Sequence, residues 1–415
     1  GVLYIRLAGS RLAIHGPRRM TSDAFLRLAD RLTIAYAVVF AAGVAFVALT
    51  TPGLIFGANG VIGSDFLAFY TAGEFAASGE ALRAYDQAAF NAALKARAPL
   101  DHLGLMWQYP PSVFFLTAAL TLLPFKASYI LWVGFGWAVM ALTLRHIGFH
   151  GRTLRLLALS PLAAPIVVSG QISFLTGAAL ALAAYKPKTR WFIAGIAAGL
   201  LTLKPQLGLL IPLAYVAVGA WRAILVAAAI ALLVHAPSLL VFGLDGWSDF
   251  FMAVGRLNAD VTGAAVNTPP DGMATLFGQL RVLGVPSAIA TPLQYGFAAC
   301  VAASVFLVWR SDRATPLAKA AALCAGAILA SPYAYSYEMT ALVLPAAFLA
   351  AAAPGLRSRN AFFLTGAWVA LVLAQIMPEN FPIQTSFVIT VGAFALTLAS
   401  IWRAPAHSRP ALSAL

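Results

Sequence analysis

The sequence predicts an all-α, polytopic transmembrane helical bundle, and three observations carry that prediction. Of the 415 residues, 61% are hydrophobic and only 10% are charged, against about a quarter charged in soluble domains. Apolar runs of about 20 residues, the length a helix needs to cross a bilayer, recur along the whole chain. Ten-residue segments of alternating polarity, the mark of a membrane β-barrel, do not occur. A soluble core could not hide this much apolar surface, and the mean hydropathy is +0.85.

Spans are expected near 32–51, 111–124, 127–146, 154–169, 171–185, 191–219, 223–243, 286–309, 316–331, 339–354, 361–377 and 383–402, about twelve in all. The second, fourth and fifth are short, and one of them is open to a re-entrant reading. No linker, low-complexity tract or fixed-period repeat interrupts the chain, so 1–415 reads as a single membrane domain.

Net charge is +13, from 27 basic and 14 acidic residues. The basic residues sit at span ends, as at Arg310 and Arg313, Arg357 and Arg359, and Arg403. That placement fits inside-positive topology. No basic cluster is interleaved with exposed aromatics in the single-strand-binding manner, so no nucleic-acid partner is expected. Trp221-Arg222, 310–319, 357–359 and Arg403 are expected on the cytoplasmic side, with 244–285, 331–338 and 378–382 opposite. In the first half, "RHIGFHGR" (145–152) and "KPKTR" (186–190) both look cytoplasmic, and simple alternation cannot satisfy every basic stretch. Arg6, Arg11, Arg18 and Arg19 precede the first span, so 1–30 reads as a cytoplasmic segment before a retained helix, not a removed signal. Cys300 and Cys324 lie in apolar runs and read as core, with no disulfide framework and no metal-ligand spacing.

Two segments are too long and polar to be turns. The first external loop, 52–110, holds Asp65, Glu74, Glu80, Asp86 and Asp101, and "FLAFYTAGEFAASGEALRAY" has apolar residues at helical spacing. Short amphipathic helices on the membrane surface are expected there. The second, 244–285, carries aromatics and is expected to be an ordered external loop.

Several residues in this setting have chemical potential. Asp65 in "GSDFLAFY" is either a general base at the membrane boundary or a helix N-cap. Glu74 and Asp86 suit solvated or capping roles as well as substrate binding. Lys204 in "GLLTLKPQLGLL" stands in the middle of a long apolar run, where a charge is costly and usually partnered or functional. It suits a phosphate or a structural salt bridge, with Pro205 breaking the helix beside it and Gln206 close by. Gln171 in "VVSGQISFL" either binds a polar substrate or caps a helix. "SPYAYSYEM" (331–339) brings Tyr333, Tyr335, Tyr337 and Glu338 together; these rings and hydroxyls suit a sugar, while an interfacial aromatic belt is the alternative. Trp107 and Tyr109 in "MWQYPP" read as interface anchors, with Pro110-Pro111 as a helix start. Asn267 and Asp271 in "NTPPDGM" fit turn chemistry as well as a ligand. No phosphate-cradling glycine loop, HExxH or nucleophile elbow is present.

The ordered set "SDFLAFYTAG", "YD" at 85–86, "QYPPSVFFL" followed by "LLPF", "GQISFL", "LKPQLGLL" and "SPYAYSYEM" resembles glycosyltransferase family 87, integral-membrane transferases of the GT-C class. The resemblance runs from about residue 30 to 400. It implies transfer of a hexose, typically mannose, from a polyprenyl-phosphate sugar donor to a lipid or glycan acceptor, with inversion, among the membrane lipids. It places the active site on the external face of the plasma (inner) membrane, facing the periplasm or cell exterior. The family's likely general base, an aspartate early in the first external loop, matches Asp65, which makes 52–110 the catalytic loop. Lys204, with Gln206, would neutralise the leaving phosphate. Tyr70, Glu74, Gln171, Tyr333, Tyr335 and Glu338 would contact substrate. No metal and no cofactor are implied. One departure is that many relatives carry histidine in the stretch matching 331–338, where this chain has Tyr333 and Tyr335.

The alternative is a transporter or flippase of lipid-linked sugars, which would use the same lysine and cavity without a base. Broken helices in both halves would favour it, and "LKPQ" occurs once. A polymerase or ligase acting on lipid-linked sugars would have similar spans.

Overall fold

The computed structural model describes residues 3–7, 10–14, 22–51, 55–56, 60–98, 105–262, 272–351, 357–375 and 383–403. The expected loop residues Asp101, Asn267 and Asp271 lie outside them, as does the 378–382 connection. Among the described residues the regular structure is helical, apart from two small antiparallel hairpins, Leu3–Leu7 with Ser10–Ile14 and Ile55–Phe56 with Gly60–Val61. Six helices among the described residues are long and apolar enough to cross a bilayer: Arg27–Thr50, Phe125–Ile147, Gly151–Ser169, Trp221–Leu257, Ser287–Arg310 and Thr385–Arg403. Six shorter apolar helices accompany them: Ser173–Ala184, Trp191–Leu203, Pro205–Val218, Pro316–Ala330, Ser336–Ala351 and Arg359–Ala374. The all-α polytopic membrane class is therefore observed.

The division into spans differs from expectation at three places. The 111–124 stretch forms only the eight-residue helix Val113–Leu120. At 1.5 Å per residue that is about 12 Å, far short of a bilayer. The 191–219 stretch is not one span. Trp191–Leu200 tightens into a 3-10 turn at Leu201–Leu203, stops at Lys204 and restarts at Pro205. Proline at that restart lacks the N–H that a continuing helix would need, and its ring would clash with the preceding turn. The second arm then returns toward the first: Tyr215 Oη, near its end, donates to Ala183 O at 2.9 Å and to Ala194 O at 3.1 Å. Finally, 244–262 is not a loop. Trp221–Thr262 is two helices joined by a non-helical kink at Gly243 (φ 65°, ψ −170°), and the second of them fills 244–262.

The hairpin resolves the charge puzzle in the first half. Both of its feet stand at one end of the bundle, where Arg222 lies 6.0 Å over the Trp191 ring. Arg190 Nη1 donates to His146 O there at 3.1 Å. Trp309 packs on Tyr215, and its indole N–H reaches Lys319 O at 2.9 Å. Arg313 lies over Trp402, beside Arg403. Arg155 pairs with Asp30 at 2.7 Å, bringing the start of the first span to the same end. The basic stretches 145–155, 186–190, 222, 310–319 and 403 thus share one end, as inside-positive topology requires.

Packing follows from side-chain size. Pro316–Ala330 is alanine-rich and buried on every side from Ala320 to Ala330, so it is the central strut. Gly195 and Gly199 let the first hairpin arm approach Trp221–Thr262; a Cβ on them would fall 2.5 Å from Val226 Cβ and 2.6 Å from Ile230 Cβ. The outer faces of the long helices remain apolar, with Val38, Val39, Leu49, Leu232 and Leu240 all exposed, which suits contact with lipid chains. The described part of the 52–110 segment is only partly amphipathic. Gln87–Arg97 buries Phe90 and Leu94 alone, whereas Ser64–Ala77 buries every residue from Phe66 to Gly73 within an aromatic cluster.

The hairpin predicts that cysteines placed at Lys188 and Arg222, in a chain with Cys300 and Cys324 replaced by alanine, react with a membrane-impermeant maleimide from the same side of sealed vesicles. A single span over 191–219 would put them on opposite sides.

Candidate active site

At the end opposite the basic residues the helices leave a cavity of about 450 Å³, within the usual range for a small-ligand site. Its walls come from four parts of the chain.

The first wall is the start of Ser64–Ala77. Gly63 precedes it in a left-handed conformation (φ 83°), and its N–H donates to Val168 O at 2.6 Å. Asp65 is therefore inside the first turn and makes no capping bond, which removes the N-cap reading. Its Oδ2 instead accepts from Gln171 Nε2 at 3.0 Å. Gln171 is held in turn: its Oε1 accepts from Tyr109 Oη at 2.6 Å and from Ile172 N at 3.0 Å. Gly170 makes the approach feasible. It has φ 72°, and a Cβ there would lie 2.5 Å from Phe66 Cβ, so any side chain would push the Asp65 helix away.

The second wall is the hairpin tip. Lys204 is buried and forms an ion pair with Glu338, itself buried. The ammonium also lies 5.1 Å over the Tyr337 ring. Beyond these contacts the Lys204 Nζ has no hydrogen-bond partner among the described residues. A lysine carries three donors, so it retains capacity toward the cavity that it lines. Glu338 Oε2 accepts from Ser173 Oγ at 3.1 Å, which spreads its charge onto a second partner.

The third wall is the 331–338 connection with Gly272 and Met273. Ser336 N donates to Gly272 O at 2.8 Å and Ala274 N to Ala334 O at 2.7 Å. This short antiparallel bridge fixes Tyr335, which stacks on Tyr337 with centroids 5.5 Å apart. Tyr333, Tyr335, Ser336 and Tyr337 all line the cavity. The fourth wall is 105–109, where Trp107 and Tyr109 pack on Phe69 and on each other.

Desolvation in this wall raises the Asp65 carboxyl from 3.8 to about 6; the nearby Lys204 charge and the Gln171 hydrogen bond pull against it, and Glu338 adds to it. Burial likewise pushes the Tyr109 phenol well up and Tyr335 to about 12, so both stay protonated donors. The consequence for stability has a definite sign. Between about 3.8 and about 6 the native state binds more protons at Asp65 than the unfolded chain does. The Asp65 contribution to stability therefore falls as pH rises through that window and stays unfavourable above it.

Of the residues singled out in the sequence, Asp65, Gln171, Lys204, Gln206, Tyr333, Tyr335 and Glu338 are brought together around the cavity. Tyr70 and Glu74 are not in its lining. Tyr70 Oη donates to Leu123 O at 2.9 Å, and Glu74 pairs with Arg97 on the exposed side of the same helix. Asp86 caps Gln87–Arg97, accepting from Ala88 N and Ala89 N. Tyr109, read from sequence as an interface anchor, belongs to the site, and so do Tyr337 and Ser173 through Lys204 and Glu338. The "QYPP" and "GQIS" stretches were visible, but their meeting across 62 residues of chain was not.

The model of a known family, Glycosyltransferase family 87, matches residues 107–332, more than half of the chain. No curated protein matches, and no solved structure does.

The ion pair predicts an asymmetric mutational cost. Lys204→Met leaves Glu338 buried without its cation and should cost about 3–5 kcal/mol, read as a fall in detergent melting temperature. Adding Glu338→Gln, which keeps the Ser173 bond, should recover at least half of that loss. Asp65→Asn should stabilise the protein by about 1–2 kcal/mol at pH 7, with the gain vanishing near pH 4.

Proposed function

The chain belongs to glycosyltransferase family 87, and we propose that this membrane glycosyltransferase moves a hexose, mannose in the first instance, from a polyprenyl-phosphate carrier to a hydroxyl of a lipid or glycan acceptor. The observation that supports this most is the placing of an accessible carboxylate with a raised pKa and a buried lysine in one cavity, at the end away from the basic residues.

In this reading the acceptor hydroxyl hydrogen-bonds to Asp65 through Oδ1, since Oδ2 is engaged by Gln171. As the hydroxyl oxygen attacks the anomeric carbon, its proton passes to Asp65. The bond from that carbon to the phosphate oxygen breaks on the opposite face, and the electron pair leaves on the phosphate. Attack opposite the leaving group inverts the anomeric centre. Lys204 stabilises the charge that develops on the phosphate, where a fixed cation in a dry site is worth far more than in water. A pKa near 6 suits a base working near neutral pH, because it is ionised yet still basic. Tyr333 and Tyr335 offer the sugar ring faces and hydroxyls. No cofactor enters this scheme.

The membrane setting supports a lipid-borne donor. Each hairpin arm, Trp191–Leu203 and Pro205–Val218, is about 20 Å long against a hydrocarbon core of about 30 Å. An arm rising from the basic end thus stops about 10 Å short of the far side of the core, so its tip lies below the interface, at a depth a prenyl chain can reach. With the basic end cytoplasmic, the cavity opens to the periplasm or cell exterior of the plasma membrane.

The test uses the purified protein in vesicles with polyprenyl-phosphate-mannose and a membrane-lipid extract. Polyprenyl phosphate and a new glycolipid should appear together. Asp65→Asn should keep donor binding and lower turnover by about 10²–10⁴-fold. On the acid side, kcat/KM should fall tenfold per pH unit below about pH 6, where Asp65 becomes protonated. Normal transfer by Asp65→Asn would remove the base assignment. Movement of the donor across the vesicle with no glycolipid from any sugar-lipid would replace the transferase reading with a flippase.

A further inference from the structure

One part-buried titratable side chain has no part in the scheme above. His235 lies inside Trp221–Leu257, an apolar helix long enough to cross the bilayer, where an ionisable side chain is costly and seldom idle. Both of its ring nitrogens are engaged. Nδ1 lies 2.9 Å from Ser112 Oγ, and Nε2 lies 2.8 Å from Thr202 Oγ1. The face of the ring meets Trp247 edge-on at 5.2 Å.

The neighbours fix the tautomer. Thr202 Oγ1 donates its one hydrogen to Gly199 O at 2.6 Å. It must therefore accept from the ring, so Nε2 carries the proton. A neutral imidazole then has Nδ1 free as an acceptor, and Ser112 Oγ donates to it. The result is a chain of bonds with one direction: Ser112 to His235 to Thr202 to the hairpin backbone.

The two partners belong to two different walls of the cavity. Thr202 is in the 3-10 turn Leu201–Leu203, and Lys204 N closes that turn by donating to Leu201 O at 2.9 Å. Ser112 is buried and follows the proline turn that carries Tyr109. Val113 N donates back to Pro110 O at 2.9 Å, and Phe114 stacks on Trp107. Tyr109 in turn orients Gln171 and, through it, Asp65.

We propose that His235 is a positioning residue, a tautomer-locked clasp that holds the Lys204 tip and the Tyr109–Gln171–Asp65 wall at one working separation. The link to catalysis rests on the proposed function; the clasp itself does not. Its two arms act on different parameters. The Thr202 arm serves the phosphate-facing lysine, and the Ser112 arm serves the base. Two conservative replacements separate them, because a glutamine amide reaches where Nε2 stands and an asparagine amide where Nδ1 stands. His235→Gln keeps the Thr202 arm, and His235→Asn keeps the Ser112 arm.

The test has a spectroscopic part and a kinetic part. In the full-length protein with ¹⁵N/¹³C-histidine, the His235 ring signal, assigned by its loss in His235→Gln, should report an Nε2–H tautomer. It should revert toward a mixture in Thr202→Val, whereas Ser112→Ala should keep the Nε2–H tautomer and shift the Nδ1 signal alone. An Nδ1–H ring, or one insensitive to either substitution, overturns the clasp whatever the transfer assay shows. In transfer, His235→Gln should lower kcat about tenfold with donor KM near wild type, while His235→Asn should raise donor KM about tenfold, since small misplacements at this distance carry such factors. Binding of polyprenyl phosphate in detergent micelles should follow the same order as KM. Equal losses in both variants, tracking only melting temperature, would make His235 purely structural and overturn the positioning role. A wild type that neither binds polyprenyl phosphate nor transfers sugar would reject the proposed function alone, and the ring signal would still decide the clasp.

Discussion

The Lys204–Glu338 ion pair is the constraint around which the site end of this molecule is arranged. Two charges with little solvent exposure are tolerable only together. Lys204 sits at the tip of a broken hairpin, and Glu338 lies at the close of the 331–338 connection. Ser173, at the start of a third helix, holds the other carboxylate oxygen, and Thr340 Oγ1 bonds back to Ser173 O at 3.1 Å. Three chain segments far apart in sequence are thereby fixed to one another at a depth where no water competes. The alternatives posed by the sequence for Lys204, a phosphate ligand or a structural salt bridge, are not exclusive. A lysine that gives one donor to Glu338 keeps two others for a ligand.

Asp65 is placed by a different kind of packing. Beneath it lies an aromatic cluster of Phe66, Phe69, Trp107, Phe114, Tyr129 and Trp132, with Tyr109 against it. The Lys204 side stands on the alanine-rich core built around Pro316–Ala330. The cavity is where these two cores meet. Large rings set the carboxylate wall by shape, and small residues set the lysine wall by allowing helices to approach. Gln171 and His235 cross between them through polar bonds, beside apolar contacts made by Val133 and Leu203. In a low-dielectric setting such bonds are directional and costly to leave unmade, so they fix a separation that apolar packing alone would leave loose.

The legible part of the fold was what hydropathy measures, namely class, the position of most apolar helices and the polar character of the first loop. Hydropathy cannot see direction. A 29-residue apolar run and two shorter arms meeting at a lysine have the same profile. The signal that separates them was present in "KPKTR" and Trp221-Arg222, two basic stretches that a single span would have put on opposite sides. The 111–124 run failed for the complementary reason. One face of it packs on the buried helix Ser64–Ala77 while Phe115, Leu116, Leu122 and Leu123 are exposed, so it is apolar on both sides without the length to span. At the site, residues with an uncommon feature in sequence were legible: a carboxylate after a glycine-serine pair, a lysine amid leucines, a cluster of tyrosines. Tyr109, Ser173 and His235 were not, since their roles exist only through partners brought near by the fold. Tyr70 and Glu74 show the reverse case, in which nearness to Asp65 in sequence did not carry them into the cavity.

The same electrostatics links donor and base within the proposed reaction. Asp65 feels Lys204 as a favourable charge and Glu338 as an unfavourable one. Ionised Asp65, Glu338 and Lys204 together sum to one net negative charge. A phosphate arriving at Lys204 would bring a further negative charge into the same cavity and screen the lysine from Asp65. Both effects favour the protonated carboxylate, so Asp65 becomes a stronger base once the donor is bound than before it. Its ionised fraction falls at the same time, so the gain in basicity helps only while the carboxyl titrates near the working pH. After transfer the sequence reverses. Protonated Asp65 carries no charge, and the departing prenyl phosphate meets a cavity whose two remaining ionised groups, Lys204 and Glu338, already neutralise each other. In the proposed reaction the buried pair would keep the lysine from holding the product as tightly as an unpaired cation would.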